Sequence, residues 1–148
     1  VNAQVNAANI GYHSINKYNQ INSLIINENE IRQELRDEKS DLSILAKRIM
    51  IKKNIKNIII TQGKLGAILV NEKFKVFKCP AFAKKIVDKV GAGDAILAIA
   101  SISFKLKLDP ELILFISSLA ASISVESVGN KENVTLDKID RILEYILK

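Results

Sequence analysis

Asn57-Ile58-Ile59-Ile60-Thr61 is the stretch that decides the fold. Three consecutive isoleucines flanked by polar residues read as a strand, and an unbroken apolar run marks a strand covered on both faces. A strand of that kind belongs to an α/β protein with a largely parallel sheet. Directly after it comes Thr61-Gln62-Gly63-Lys64-Leu65-Gly66. A strand end carrying a hydroxyl and two glycines suits phosphate contact through backbone N–H groups. A plain β-turn leading into a hairpin is the alternative.

Outward from this centre, strands and helices alternate. Residues 22–26 form an apolar strand, and residues 28–36 and 40–53 read as helices. The second has Ser40 as its candidate N-cap and Leu42, Leu45 and Ile49 at helical spacing. Residues 66–71 and 73–78 look like a hairpin around Asn71-Glu72. Three helical segments follow, at 92–107, 110–128 and 135–148. Asp109 before Pro110 is a start signal, with Asp as cap and Pro at the first helical position. Thr135 is a cap for the last helix. Residues 1–7 read as a strand running into a polar loop, and residues 9–18 as a short helix.

The second feature is Val87-Asp88-Lys89-Val90-Gly91-Ala92-Gly93-Asp94, followed by an apolar run from Ala95 to Phe104. Small residues let the backbone turn tightly and approach a ligand. The run reads as a buried helix, so its N-terminal N–H groups point outward beside an aspartate. Phosphoryl transfer uses both elements, donors for phosphate charge and a base next to them. Asn27-Glu28-Asn29-Glu30 is a third element, at a strand end and helix start. Its first-turn glutamate is either a partner of the helix dipole or the holder of a water in a Mg²⁺ shell.

The chain has 148 residues, enough for one domain with a core, and is 48% apolar. Its net charge is +6, but the basic residues are scattered and there is no Trp, which points away from nucleic acid. A pull on anionic substrates such as nucleotides is compatible with that charge. One cysteine, Cys79, excludes an internal disulfide and a zinc pattern and fits a cytoplasmic setting. Residues 112–125 are apolar, but shorter than a membrane span of about 20 residues and interrupted by serines. His13, the single histidine, lacks a nearby Ser or Cys partner; Gln4, Asn6 and Asn9 either touch a ligand or satisfy the turn backbone. The chain begins Val1-Asn2-Ala3-Gln4 without Met, as expected of a piece of a longer protein or a processed product.

Taken in order, three motifs resemble the C-terminal half of the PfkB, or ribokinase-like, carbohydrate kinase family. Residues 88–94 are similar to its D-T-x-G-A-G-D signature, with Lys89 where Thr is usual. Residues 27–30 are similar to its N-x-x-E motif, and Thr61-Gln62-Gly63 with Gly66 to its T-x-G-x-x-G phosphate turn. Residues 120–125, running on to Gly129, resemble the family's alanine-rich helix beside the adenine. The opening residues look closer to a branch near the heptose-phosphate kinases. The resemblance implies a three-layer α/β/α fold with a mainly parallel sheet, of which residues 1–148 are the C-terminal nucleotide-binding and catalytic part.

It also implies ATP-dependent phosphoryl transfer to a hydroxyl of a sugar or sugar phosphate. Asp94 would be the general base, and the N–H groups of Gly91, Ala92, Gly93 and Asp94 an anion hole. Thr61, Gly63 and Gly66 would hold the nucleotide phosphates. Asn27 and Glu30 would act on Mg²⁺ through water, Asp88 on a monovalent cation such as K⁺, and Ser118 and Ala121 would lie near the adenine. A helix N-terminus favours a charged carboxylate, so Asp94 is expected to orient the hydroxyl as much as to deprotonate it. The family's sugar contacts come mostly from its N-terminal half or another subunit. A non-catalytic nucleotide-binding module is the competing expectation.

Overall fold

The structure is a computed structural model that describes residues 15, 18, 20–83, 91–126, 135, 137, 139–141 and 144. Four strands form its sheet in the order β1 (Ser23–Asn27), β2 (Asn57–Thr61), β3 (Ala67–Val70) and β4 (Val76–Cys79). β1 and β2 run parallel, joined by α1 (Glu28–Leu35) and α2 (Leu42–Lys53). β2–β3 and β3–β4 are antiparallel. The expected mainly parallel sheet is therefore mixed over the described residues. Two of its three pairings are antiparallel, because the short connections after β2 and β3 cannot return a strand in the parallel sense.

The isoleucine run behaves as a doubly covered strand. Ile58, Ile59 and Ile60 are each 0% exposed, and their alternation splits them between two cores. Ile58 and Ile60 join Leu24, Ile26, Ile68 and Val70 beneath α1 and α2, with Ile31, Leu45, Ala46 and Ile49 from the helices. Ile59 joins Ile25, Leu69 and Phe77, register partners across the sheet, beneath α3 (Ala92–Lys105) and α4 (Pro110–Glu126). Ile96, Ala100, Ile113 and Leu114 close that side. Helices on both faces of one sheet make three α/β/α layers, the arrangement expected.

Several element bounds shift by one to three residues from the sequence reading, and two of the shifts have a visible cause. Asp41, not Ser40, caps α2, accepting from the Ser43 N–H at 2.7 Å. Ser40 is drawn away by Asp37, whose carboxylate accepts from the Ser40 N–H at 3.0 Å and hydroxyl at 2.9 Å. In the hairpin β4 begins at Val76 rather than at residue 73. The Asn71 side chain accepts from the N–H groups of Lys73 and Lys75 and holds those residues in the turn. Asp109 caps α4 as expected, accepting from the Glu111 N–H at 2.9 Å, and the Thr135 carbonyl accepts from the Ile139 N–H at 3.2 Å. The segments at 1–7 and 9–14, and most of 127–148, lie outside the described residues.

Candidate functional site

Parallel pairing of β1 with β2 brings two of the motifs to one edge. Asn27 and Thr61 end their strands as register partners. Thr61 pairs across with Ala67, and Ala67 with Cys79. One row thus runs along the carboxyl ends of β1, β2 and β4, where ligands sit in open α/β sheets.

At the β1 end, Asn27 caps α1. Its Oδ1 accepts from the Glu30 N–H at 2.9 Å, and Glu30 Oε2 accepts from the Asn27 N–H at 2.9 Å. This reciprocal capping box satisfies two amides that the helix start leaves over. Glu30 is buried. The N-x-x-E spacing therefore has a structural job. No group of three His, Cys, Asp or Glu converges among the described residues. Mg²⁺ held through waters needs just one or two carboxylates, so these residues fit a water-mediated shell.

At the β2 end, residues Gly63–Leu65 form a 3₁₀ turn closed by Gly66. The Gln62 N–H donates to Gly66 O at 2.8 Å, and the Gly66 N–H to Gly63 O at 3.1 Å. Gly66 has φ +96°, and an added Cβ would stand 2.1 Å from Cys79 O. Only glycine lets the turn lie this close against the end of β4. The Gly63 side is open, with nothing within 4 Å of an added Cβ, which leaves room for a phosphate.

The N-terminus of α3 carries the second glycine motif. Gly91 is its N-cap at φ 92°, without a side-chain capping bond. Ala95 donates to Gly91 O at 2.9 Å, which opens the helical ladder of α3 directly after the glycine motif. Asp94 is exposed. Ile96 and Ala100 anchor this helix in the core it shares with β1 and β2.

Ser118 is buried on α4, and neither its Oγ nor that of Ser117 has a hydrogen-bond partner among the described residues. Burial pushes the Cys79 thiol above its ordinary range, and the Ser118 hydroxyl acts the other way. Ser118 thus sits beside the β4 end of the row without reaching hydrogen-bond geometry. Ala121 packs, half-buried, on the same core. The structure places Asn27, Thr61, Gly66 and Ser118 along one edge. Asp88, Lys89, Gln4, Asn6, Asn9, His13 and Gly129 lie outside the described residues.

One cluster escaped the sequence reading. Gln62 Nε2 donates to Glu28 Oε2 at 3.1 Å, while Arg32 donates to Glu28 Oε1 through Nη2 at 2.8 Å and Nε at 3.0 Å. Arg32 Nη1 also donates to Ser40 O at 3.0 Å. The Arg32 bonds first, then the Gln62 bond, hold the Glu28 carboxyl below its usual range. The i,i+4 spacing of Glu28 and Arg32 signals their pairing; the bond to Gln62, 34 residues away, has no local signal.

A layered sheet with glycine turns at its strand ends defines a ribokinase-like α/β fold. The chain belongs to the pfkB family of carbohydrate kinases, whose pattern matches residues 11–136. It is 31% identical over 119 residues to the bifunctional protein HldE of Campylobacter fetus, covering 78% of this chain and 26% of that protein. It is 27% identical over 90 residues to an uncharacterized sugar kinase of Buchnera aphidicola, covering 61% of this chain and 28% of that one. Among solved structures, ribokinase from Thermotoga maritima superposes with a TM-score of 0.71 at 24% identity, over 83% of this chain and 42% of that one. Arabidopsis thaliana ribokinase, complexed with ribose and ATP, gives 0.74 at 21%, over 85% and 42%. Phosphofructokinase-2 from Escherichia coli, in complex with potassium, gives 0.74 at 18%, over 88% and 42%. The chain therefore spans about a quarter of those curated relatives and about two fifths of those solved chains. No helix of the described residues is long and apolar enough to cross a membrane.

Proposed function

We propose that this chain is the C-terminal nucleotide-binding and catalytic part, residues 1–148, of a kinase that transfers phosphate from ATP to a hydroxyl of a sugar or sugar phosphate. The observation that carries the reading is the register partnership of Asn27 and Thr61, which sets the N-x-x-E cap beside the glycine turn in a chain of this family. The ATP and potassium named for the ribokinase and phosphofructokinase-2 structures support a nucleotide and a monovalent cation here.

Bound Mg·ATP supplies the transferable phosphoryl group and neutralises part of its charge. Thr61 and the open turn at Gly63 and Gly66 hold the nucleotide phosphates. The amides of Gly91, Ala92, Gly93 and Asp94 face the charge that develops during transfer. Asp94 orients the acceptor hydroxyl and takes its proton. That division suits a reaction whose catalysis is mostly positioning and charge stabilisation. Asn27 and Glu30 act on Mg²⁺ through water, and Asp88 on the monovalent cation. Ser118, whose hydroxyl has no hydrogen-bond partner among the described residues, lies near the adenine beside Ala121. The sugar is held largely by segments that the longer relatives possess, or by another subunit, in a cytoplasmic setting.

Calorimetric titration with Mg·ATP and an ADP-release assay over sugars and sugar phosphates test this reading. Asp94→Asn should keep Mg·ATP binding and lose turnover by at least about 100-fold, the lower range for general acid–base catalysis. Normal turnover would remove Asp94 from the mechanism. Binding without transfer by the unsubstituted protein would favour the non-catalytic nucleotide module, and no binding would defeat both readings.

A further inference from the structure

We infer that Glu28 and Gln62 are positioning residues that set the gap between the glycine turn and the N-x-x-E cap, with Arg32 neutralising the bridge. The inference rests on the nucleotide reading above.

Each partner lies inside a different motif. Glu28 stands between the two members of the capping box, and Gln62 between Thr61 and the turn glycine. Their strands already pair through Asn27 and Thr61, yet that ladder ends at those residues. Beyond it, the Gln62–Glu28 hydrogen bond at 3.1 Å ties the start of the 3₁₀ turn to α1. A side-chain bond at this point fixes the direction in which the turn leaves the sheet.

The same bond presents an electrostatic problem. A carboxylate next to a phosphate turn repels the anion the turn must bind. Arg32 removes that repulsion with a two-pronged contact at 2.8 and 3.0 Å, and is itself aimed by Ser40 O. The cluster thus delivers rigidity without net charge. It is half-buried rather than exposed, so its members are not free to fluctuate as surface chains do.

The test is a set of Mg·ATP titrations on Gln62→Leu, Glu28→Ala, the double variant and Glu28→Gln. An intramolecular hydrogen bond of ordinary net strength corresponds to a loss of about three- to tenfold in affinity. Gln62→Leu and Glu28→Ala should each weaken Mg·ATP by that factor, and the double variant should lose no more than either alone. Glu28→Gln, which keeps an acceptor for Gln62 and leaves the Arg32 charge uncompensated beside the anion, should bind Mg·ATP at least as tightly as the unsubstituted protein, and weaker binding would overturn the bridge. Gln62→Leu, which loses one hydrogen bond, should lower the melting temperature by only about 2–6 °C and stay folded at the titration temperature, which leaves the weaker binding to the position of the turn. Unaltered affinity in Gln62→Leu, or additive losses in the double variant, would overturn the bridge while leaving the kinase reading intact. Absence of Mg·ATP binding in the unsubstituted protein would defeat that reading and the nucleotide role of the bridge with it. Hydrogen exchange without nucleotide gives an independent check on the positioning itself. Gln62→Leu should speed exchange at residues 63–66, and unchanged rates there would also refute it.

Discussion

Replacing Gly66 by alanine sets a methyl group 2.1 Å from Cys79 O, 2.7 Å from Pro80 C and 2.8 Å from Ala81 N, where real Cβ atoms essentially never come below 3.0 Å. All three obstacles are backbone, so no side chain can swing aside. Either the turn lifts from β4 or the end of β4 leaves β3, breaking the Ala67–Cys79 pairing. Overpacking of this kind costs about 1–3 kcal/mol, and a non-glycine residue held at φ +96° adds about 1–3 kcal/mol. The combined cost of about 2–6 kcal/mol is a large part of the stability of an ordinary domain. Urea unfolding reads it directly, as a fall in midpoint of about 1–3 M at an m-value of about 2 kcal/mol/M. Gly63 is the internal control. It also has positive φ, +57°, but nothing lies within 4 Å of its added Cβ. Asparagine visits that region readily, so Gly63→Asn should cost less than about 1 kcal/mol. Gly66→Asn should be as damaging as Gly66→Ala. Equal effects at the two glycines would refute the close-approach argument, since strain in φ alone would then account for both.

Asn27→Ala should destabilise by about 1 kcal/mol through loss of the bond from the Glu30 N–H to the Asn27 side chain, the backbone bond to Glu30 staying in place, while Asn27→Asp, which keeps the acceptor, should recover most of that loss in the same unfolding assay. Hydrogen bonds from the Ser40 N–H and hydroxyl lower the Asp37 carboxyl from 3.8 to about 2. A depressed folded value means that its stabilising effect is present above pH 4 and is lost as pH falls towards 2. Asp37→Asn should therefore flatten the acid limb of the melting-temperature profile over that interval, and an unchanged limb would contradict the assignment.

Much of the fold is legible locally. The isoleucine run announces a strand with two covered faces because every position on it is apolar, and the two cores on either side of β2 bear this out. Asp109 and Pro110 mark the start of α4 through chemistry that reaches only two residues along the chain. Local signals mislead where two residues compete for one job. Ser40 has the credentials of a cap, but Asp37 claims its hydroxyl and amide, and Asp41 takes the helix. The hairpin is misjudged for a similar reason, since Asn71 gathers the amides of Lys73 and Lys75 into the turn.

By itself the sequence determined the layers, the glycine turns and the family, because these depend on spacing within a few residues. The tertiary structure alone decided that Asn27 faces Thr61 across a parallel pair, that Gly66 lies against Cys79, and that Glu28 meets Gln62. Those meetings follow from strand register, which two buried faces set over the whole sheet. No window of neighbouring residues contains that information.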